Sequence, residues 1–158
     1  MKFKRIILAS KSPRRKELLS VLFDEFITDS SKVEEHIPNC ESIENIVMDL
    51  AKTKARDVAG RHTDKDIIIG ADTIVYLENE ILGKPKTKED AKRMLRKLSN
   101  KTHDVLTGVC IVKNNCEKIF YERTKVTFCE LTEKEIDDYI KSGEPVDKAG
   151  SYGIQGKG

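Results

Sequence analysis

Apolar residues occur along this chain in short blocks whose spacing switches between strand-like and helix-like. Ile6-Ile7-Leu8 is a continuous apolar run of the kind that fills a buried strand, expected over about residues 4–9. Ser12 then offers an N-cap, Pro13 suits the first helical position, and Leu18, Leu19 and Leu22 continue as an apolar stripe, which predicts a helix over residues 13–22. Residues 23–28 read as a second strand, leading into a polar loop with Val33-Glu34-Glu35. Ser42 opens a longer helix in which Ile43, Ile46, Val47, Leu50, Ala51, Ala55 and Val58 fall on one face, and Gly60 ends it. Asp66-Ile67-Ile68-Ile69 predicts a buried strand that stops near Asp72. A further run, Ile74-Val75-Tyr76-Leu77, turns at Glu78-Asn79-Glu80 back into Ile81-Leu82.

In the second half, Thr87 with Asp90 makes a capping-box pattern for a helix to about Leu98, with Ala91, Met94, Leu95 and Leu98 inward. Residues 103–113 and 117–131 read as two long strands joined at Asn114-Asn115. Thr132 with Glu135 caps a last helix carrying Ile136, Tyr139 and Ile140, and Gly143 closes it. Residues 144–158 predict no regular element. Early strand–helix alternation followed by hairpins predicts an α/β fold, a mixed sheet flanked by helices.

Composition narrows the function classes. A length of 158 residues implies one domain. Such a chain buries roughly 70% of its unfolded surface, enough for a real core. The net charge is +2, from 29 basic and 27 acidic residues, so any basic site must be local rather than a general nucleic-acid or membrane surface. The N-terminal apolar stretch is too short for a signal peptide and no run is long enough to span a bilayer, so a cytoplasmic location is expected. Cys40, Cys110, Cys116 and Cys129 form neither a CxxC pair nor a zinc spacing, so reduced thiols are expected.

The chemistry-bearing residues begin with Leu8-Ala-Ser-Lys-Ser-Pro-Arg-Arg-Lys-Glu-Leu-Leu19. A turn from strand to helix presents free backbone N–H groups, the positive end of the helix dipole, the hydroxyls of Ser10 and Ser12, and the cations Arg14, Arg15 and Lys16. This combination suits a phosphate chain. Asp72 follows Gly70-Ala71, where small residues let a ligand come close. Taken alone it reads equally as a Mg²⁺ ligand, a base that activates water, or a turn-capping carboxylate. Glu34 and Glu35 read alone as a solvated pair, and Lys54 as a helix surface lysine or the edge of a cleft. Lys84, fixed between Gly83 and Pro85, is a good point charge for phosphate. Gln155, between glycines, can offer a donor and an acceptor to the imide edge of uracil or thymine, or be an ordinary loop amide. His103 has no partner set that marks catalysis and reads as a structural histidine at a strand start. Walker-type, HExxH and GxSxG patterns are absent.

Taken together, these segments resemble the Maf family of nucleoside triphosphate pyrophosphatases. The resemblance rests on the opening motif, Val33-Glu34-Glu35, Ala51 to Ala55, Gly70-Ala-Asp-Thr-Ile-Val75, Gly83-Lys-Pro85, Thr102-His-Asp-Val-Leu-Thr-Gly108 and Asp147-Lys-Ala-Gly-Ser-Tyr-Gly-Ile-Gln-Gly156, in the family's order. It implies a Maf/ITPase-like fold with a cleft at the strand ends. The implied reaction is hydrolysis of a nucleoside triphosphate to monophosphate and pyrophosphate with a divalent cation, Mg²⁺ or Mn²⁺. By similarity, Asp72 is the proton acceptor or a metal-bound carboxylate and Glu35 the second carboxylate. Ser10, Arg14, Arg15, Lys54 and Lys84 would hold the triphosphate. Arg14, Thr73 and Gln155 look like the branch that acts on dTTP and UTP. A 7-methyl-GTP pyrophosphatase, or a nucleotide-binding regulator of septum formation, are the alternatives. The resemblance also implies a homodimer, and a family C-terminal segment beyond the Gly156 region that this chain lacks.

Overall fold

A computed structural model of the chain describes residues 4–34, 36–37 and 42–158. The elements run β1 (Ile6–Leu8), α1 (Pro13–Ser20), β2 (Ile27–Thr28), α2 (Ile43–Ala59), β3 (Ile67–Leu77), β4 (Glu80–Leu82), α3 (Lys88–Leu98), β5 (Thr102–Lys113), β6 (Cys116–Thr127) and α4 (Glu133–Lys141). The strands form one mixed sheet in the order β2-β1-β3-β5-β6, with β4 pairing β3. β1 lies parallel to both β2 and β3, with Ile7 opposite Ile27 and Ile68, while β4 runs antiparallel to β3 with Val75 opposite Leu82. The expected α/β architecture with a mixed sheet and flanking helices is therefore observed. No helix among the described residues is long and apolar enough to cross a membrane.

The chain divides into two compact units, residues 1–72 with 107–122, and residues 73–106 with 123–158. In the first, Ile7, Ala9 and Ile68 pack against Ala51, Ala55 and Val58 of α2, with Cys110 in the same cluster. The approach of α2 is very close. A Cβ on Gly70 would stand 2.6 Å from the Ala51 carbonyl oxygen, and one on Gly108 would stand 2.3 Å from that of Val47. Glycine is needed there because backbone packs on backbone. In the second unit, Val75, Leu77 and Leu82 meet Met94, Leu95 and Leu98 of α3, Ile136 of α4, and Tyr152.

Local chemistry sets the helix starts as expected. The side chains of Ser12, Ser42, Thr87 and Thr132 each accept a backbone N–H in the first turn of their helix. At α4 the reciprocal capping box with Glu135 is complete. At α3 it is not: Asp90 accepts from the Lys86 backbone instead of Thr87. Both β-hairpin turns use two successive left-handed residues, Glu78-Asn79 and Asn114-Asn115, as two-residue connections between twisted strands require.

Several expectations are corrected. β2 is two residues long rather than spanning 23–28, and β6 ends at Thr127 rather than Leu131. α1 ends at Ser20, and of its predicted apolar stripe only Leu19 is buried. Leu18 and Leu22 are 56% and 73% exposed, because two turns of helix bring only one position against the sheet. Residues 144–147 and 149–151 form short 3₁₀ turns. The predicted break at Gly70-Ala-Asp-Thr73 is absent. β3 continues through it for 11 residues: β1 pairs its start at Ile67–Ile69, β4 pairs its end at Val75–Leu77 and β5 is its other neighbour in the sheet, which together override the weak strand propensity of Gly and Asp. Cys110 is buried, Cys116 and Cys129 are exposed, and all three are free; Cys40 lies outside the described residues.

Asp66, at the entry to β3, is buried and accepts from the Arg5 guanidinium at 3.1 and 2.8 Å and from the Thr63 backbone and hydroxyl at 3.1 and 2.9 Å. The Arg5 hydrogen bonds, with those of Thr63, hold its carboxyl well below the usual carboxylate range. A lowered folded-state pKa adds stability above the unfolded value and loses it as pH falls toward the folded one. Asp66→Asn is expected to cost about 2 kcal/mol in urea unfolding at neutral pH. The difference from wild type should shrink as the pH is taken below about 4.

Candidate functional site

The first unit assembles four of the predicted residues around the middle of β3. Gly70 and Asp72 are two positions apart on a strand and share the face toward α2. The close backbone approach at Gly70 brings the third turn of α2 within reach, and Lys54 Nζ donates to Asp72 Oδ1 at 2.8 Å. Neither side chain is well solvated: Lys54 is 13% and Asp72 10% exposed. The lysine that reads from sequence as a helix surface residue or the edge of a cleft thus donates directly to the strand carboxylate.

The opening motif reaches the same place. Ser10 follows β1 and is buried, and its hydroxyl oxygen accepts the Ser12 N–H at 3.1 Å. Arg15, on the first turn of α1, donates to the Ala71 carbonyl at 2.8 Å and to Ser10 Oγ at 3.4 Å. Its second terminal nitrogen lies 4.0 Å from Asp72 Oδ1. Arg14 precedes it on that turn and is half-buried. Ser10, Arg15, Lys54 and Asp72 are thereby joined by direct contacts. The tie from Arg15 to the β3 backbone was not legible in the sequence, where Arg14 and Arg15 are equivalent cations.

Among the described residues Asp72 is the one carboxylate joined to these contacts. Glu34 is exposed, with His36 3.9 Å away, and Glu35 lies outside the described residues. Among the described residues no group of three or more His, Cys, Asp or Glu side chains could form a metal cage. The described residues thus offer a hard divalent ion one carboxylate, and the rest of its oxygens would have to come from elsewhere, such as phosphate and water.

The other predicted residues belong to the second unit. Thr73 shares its face of β3 with Val75, against which Gly150 closes. Lys84 is exposed just after β4, and the carbonyl of the preceding Gly83 accepts the Gly150 N–H at 3.0 Å. Gln155 is exposed in a tight turn where the Gly156 N–H donates to the Gly153 carbonyl at 3.2 Å. His103 is buried within a structural cluster, as expected.

Comparison with known proteins supplies relatives for this arrangement. A family model described as Maf-like protein matches residues 5–158. A dTTP/UTP pyrophosphatase of Bacillus cereus is 57% identical over 155 residues, covering 98% of this chain and 81% of its own length. One from Bacillus anthracis matches at the same identity and coverage, and one from a second B. cereus strain is 58% identical, covering 98% of this chain and 76% of its own length. Among solved structures, a HAM1 protein from Coxiella burnetii superposes with a TM-score of 0.57 at 16% identity, covering 98% of this chain and 90% of that one. The Ham1 protein of Staphylococcus aureus gives 0.53 at 16% identity, covering 77% and 70%. These two are similar in fold alone.

Removing one member of a poorly solvated ion pair leaves an uncompensated charge, whereas removing both does not. Lys54→Met is expected to lower unfolding free energy by about 2 kcal/mol, and Lys54→Met with Asp72→Leu to recover most of that loss. A urea double-mutant cycle measures the coupling.

Proposed function

The chain belongs to the Maf-like protein family, and on that premise we propose that it is a nucleoside triphosphate pyrophosphatase acting on dTTP and UTP. The observation that carries this reading is the buried Asp72 carboxylate on the central strand, gripped by Lys54 and flanked by Arg15 of the opening strand–helix turn. The sequence relationship to proteins named for that activity supports it.

Hydrolysis at the innermost phosphorus asks two things of a protein. Negative charge on the triphosphate and on the departing pyrophosphate must be neutralised by donors already in place. A water must also be aimed at the phosphorus and relieved of a proton. Arg14, Arg15, Lys54, Ser10 and the first-turn N–H groups of α1 answer the first requirement, with Lys84 as a further point charge. Asp72 answers the second. Its carboxylate orients the water and takes its proton as the new oxygen–phosphorus bond forms, while the bond to the bridging oxygen breaks and pyrophosphate leaves. Lys54 keeps that carboxylate aimed and limits its rotation.

A divalent cation, Mg²⁺ or Mn²⁺, held by Asp72 together with Glu35, would add charge neutralisation at the phosphates. Gln155 can offer donor and acceptor together to the imide edge of uracil or thymine, and the family resemblance adds Arg14 and Thr73 to the residues that recognise the base. On the family resemblance we extend the reading to a homodimer acting in the cytoplasm.

The test is product analysis with UTP and Mg²⁺. UMP plus pyrophosphate is expected; UDP plus phosphate, or no product, overturns the reading. Asp72→Asn is expected to lower kcat at least a hundredfold while UTP still binds in calorimetry, a loss in the range for a removed acid–base group. Gln155→Ala is expected to reduce the UTP-over-CTP preference about tenfold with little change in affinity for inorganic triphosphate. An unchanged preference would remove Gln155 as the base reader.

A further inference from the structure

The second unit buries an aromatic group that the proposed chemistry does not use. His103, at the start of β5, is 2% exposed, and its Nε2 shares a 2.7 Å hydrogen bond with the Tyr152 hydroxyl. Phe128 closes the cluster edge-on, its ring centroid 5.2 Å from that of His103 and 4.7 Å from that of Tyr152. His103 Nδ1 is buried with no hydrogen-bond partner among the described residues, so the imidazole is tethered at one end only. Burial lowers the pKa of the imidazole and pushes that of the Tyr152 phenol up to about 12, so the shared hydrogen bond joins two neutral groups.

Tyr152 lies immediately before the turn that carries Gln155. On the next residue, the Gly153 N–H donates to the Tyr139 hydroxyl at 3.1 Å, and that hydroxyl donates to Glu144 Oε1 at 3.3 Å. Past the turn, the Lys157 N–H donates to Glu144 Oε2 at 3.1 Å. A Cβ at Gly156 would stand 1.7 Å from Glu144 Oε1, so glycine lets this carboxylate come in against the backbone. The turn is therefore pinned before and after, while Ile154 and Gln155 between the pins are exposed. Upstream, Gly150 takes a left-handed conformation at φ 68°, and its N–H is bonded to the Gly83 carbonyl beside Lys84. A segment this tightly tied holds the Gln155 backbone in one place, so less must be ordered when its amide meets a base edge by two hydrogen bonds.

We propose that His103 and Tyr139 are positioning residues which, through Tyr152 and Glu144, clamp the Gly153–Gly156 turn and so set the orientation of Gln155 toward the pyrimidine. This rests on the reading of Gln155 given above. The clamp governs which base is accepted and leaves the phosphoryl chemistry alone. It acts by pre-organisation: a loosened turn must be ordered when substrate binds, and that entropy comes out of the affinity for the correct base.

The experiment uses two conservative variants, each removing a single hydroxyl while keeping its ring. Tyr152→Phe cuts the bond to His103, and Tyr139→Phe cuts the link between Gly153 and Glu144. For each, KM for UTP and dTTP is expected to rise about fivefold with kcat within about twofold of wild type. The UTP-over-CTP ratio should fall in proportion, and inhibition by inorganic tripolyphosphate, which has no base, should not change. Placed in a Gln155→Ala background, neither substitution should alter the ratio further, because both act through that amide. If Gln155→Ala collapses the ratio but both Phe variants keep it, the clamp is overturned and the base reader stands. If Gln155→Ala itself keeps the ratio, the reading beneath the clamp has failed. Thermal unfolding is followed in parallel, and a lowered Tm with unchanged kinetics assigns the two hydroxyls to stability alone and also overturns the inference.

Discussion

The ion pair between Lys54 and Asp72 is the constraint on which the candidate site depends. A carboxylate in the middle of a central strand, with little access to water, needs a charged partner on the neighbouring element. That partner reaches it only because α2 lies almost in backbone contact with β3, and α2 lies so close only because Gly70 and Gly108 have no side chains. Arg15 adds the third side. By donating to the carbonyl of Ala71 it fastens the first turn of α1 to the strand one residue before Asp72. Cations from two helices and one carboxylate are thus held in register by glycine packing, a helix cap and one side chain-to-backbone bond.

The second unit works by a different physical means. Its polar contacts around residues 144–157 are hydrogen bonds given mainly by hydroxyls and backbone N–H groups, two of them to the Glu144 carboxylate, and they order a short turn rather than gather cations. Its charge–charge contacts include Lys148 with Asp147 in that segment, Arg93 with Glu80 of β4, and Glu133 of α4 with Arg96 and Lys92 of α3 on the surface. Directed hydrogen bonds have stricter geometry than screened surface ion pairs, and so suit a segment whose task is to hold a backbone turn in place.

Much of the fold was legible in the chain because it depends on local chemistry. The four N-caps, the α2 stripe from Val47 to Val58, the two hairpin turns and the inward face of α3 follow from residue type and period alone. Misreadings arose where neighbours distant in sequence decide. Gly70-Ala-Asp-Thr73 carries a turn signal, yet β3 runs through it, paired with β1 before it and with β4 after it. Leu18 and Leu22 have helical spacing, yet among the described residues both are largely exposed. At the site, residue types identified Ser10, Arg15, Lys84 and Asp72 as candidates. Lys54 gained its place only from the family resemblance, since helix period cannot tell a lysine facing a strand carboxylate from one facing water.

By itself, then, the amino-acid order determined the element types, the caps, the family and the list of chemically able side chains, because each is written in short-range pattern or in motif order. Tertiary structure alone decided which of these meet. Lys54 with Asp72, Arg15 with the Ala71 carbonyl, and His103 with Tyr152 are separated by 18, 56 and 49 positions. Bringing such residues within hydrogen-bond distance depends on sheet order and on how closely a helix can approach a strand, and neither is a property of any local stretch of chain.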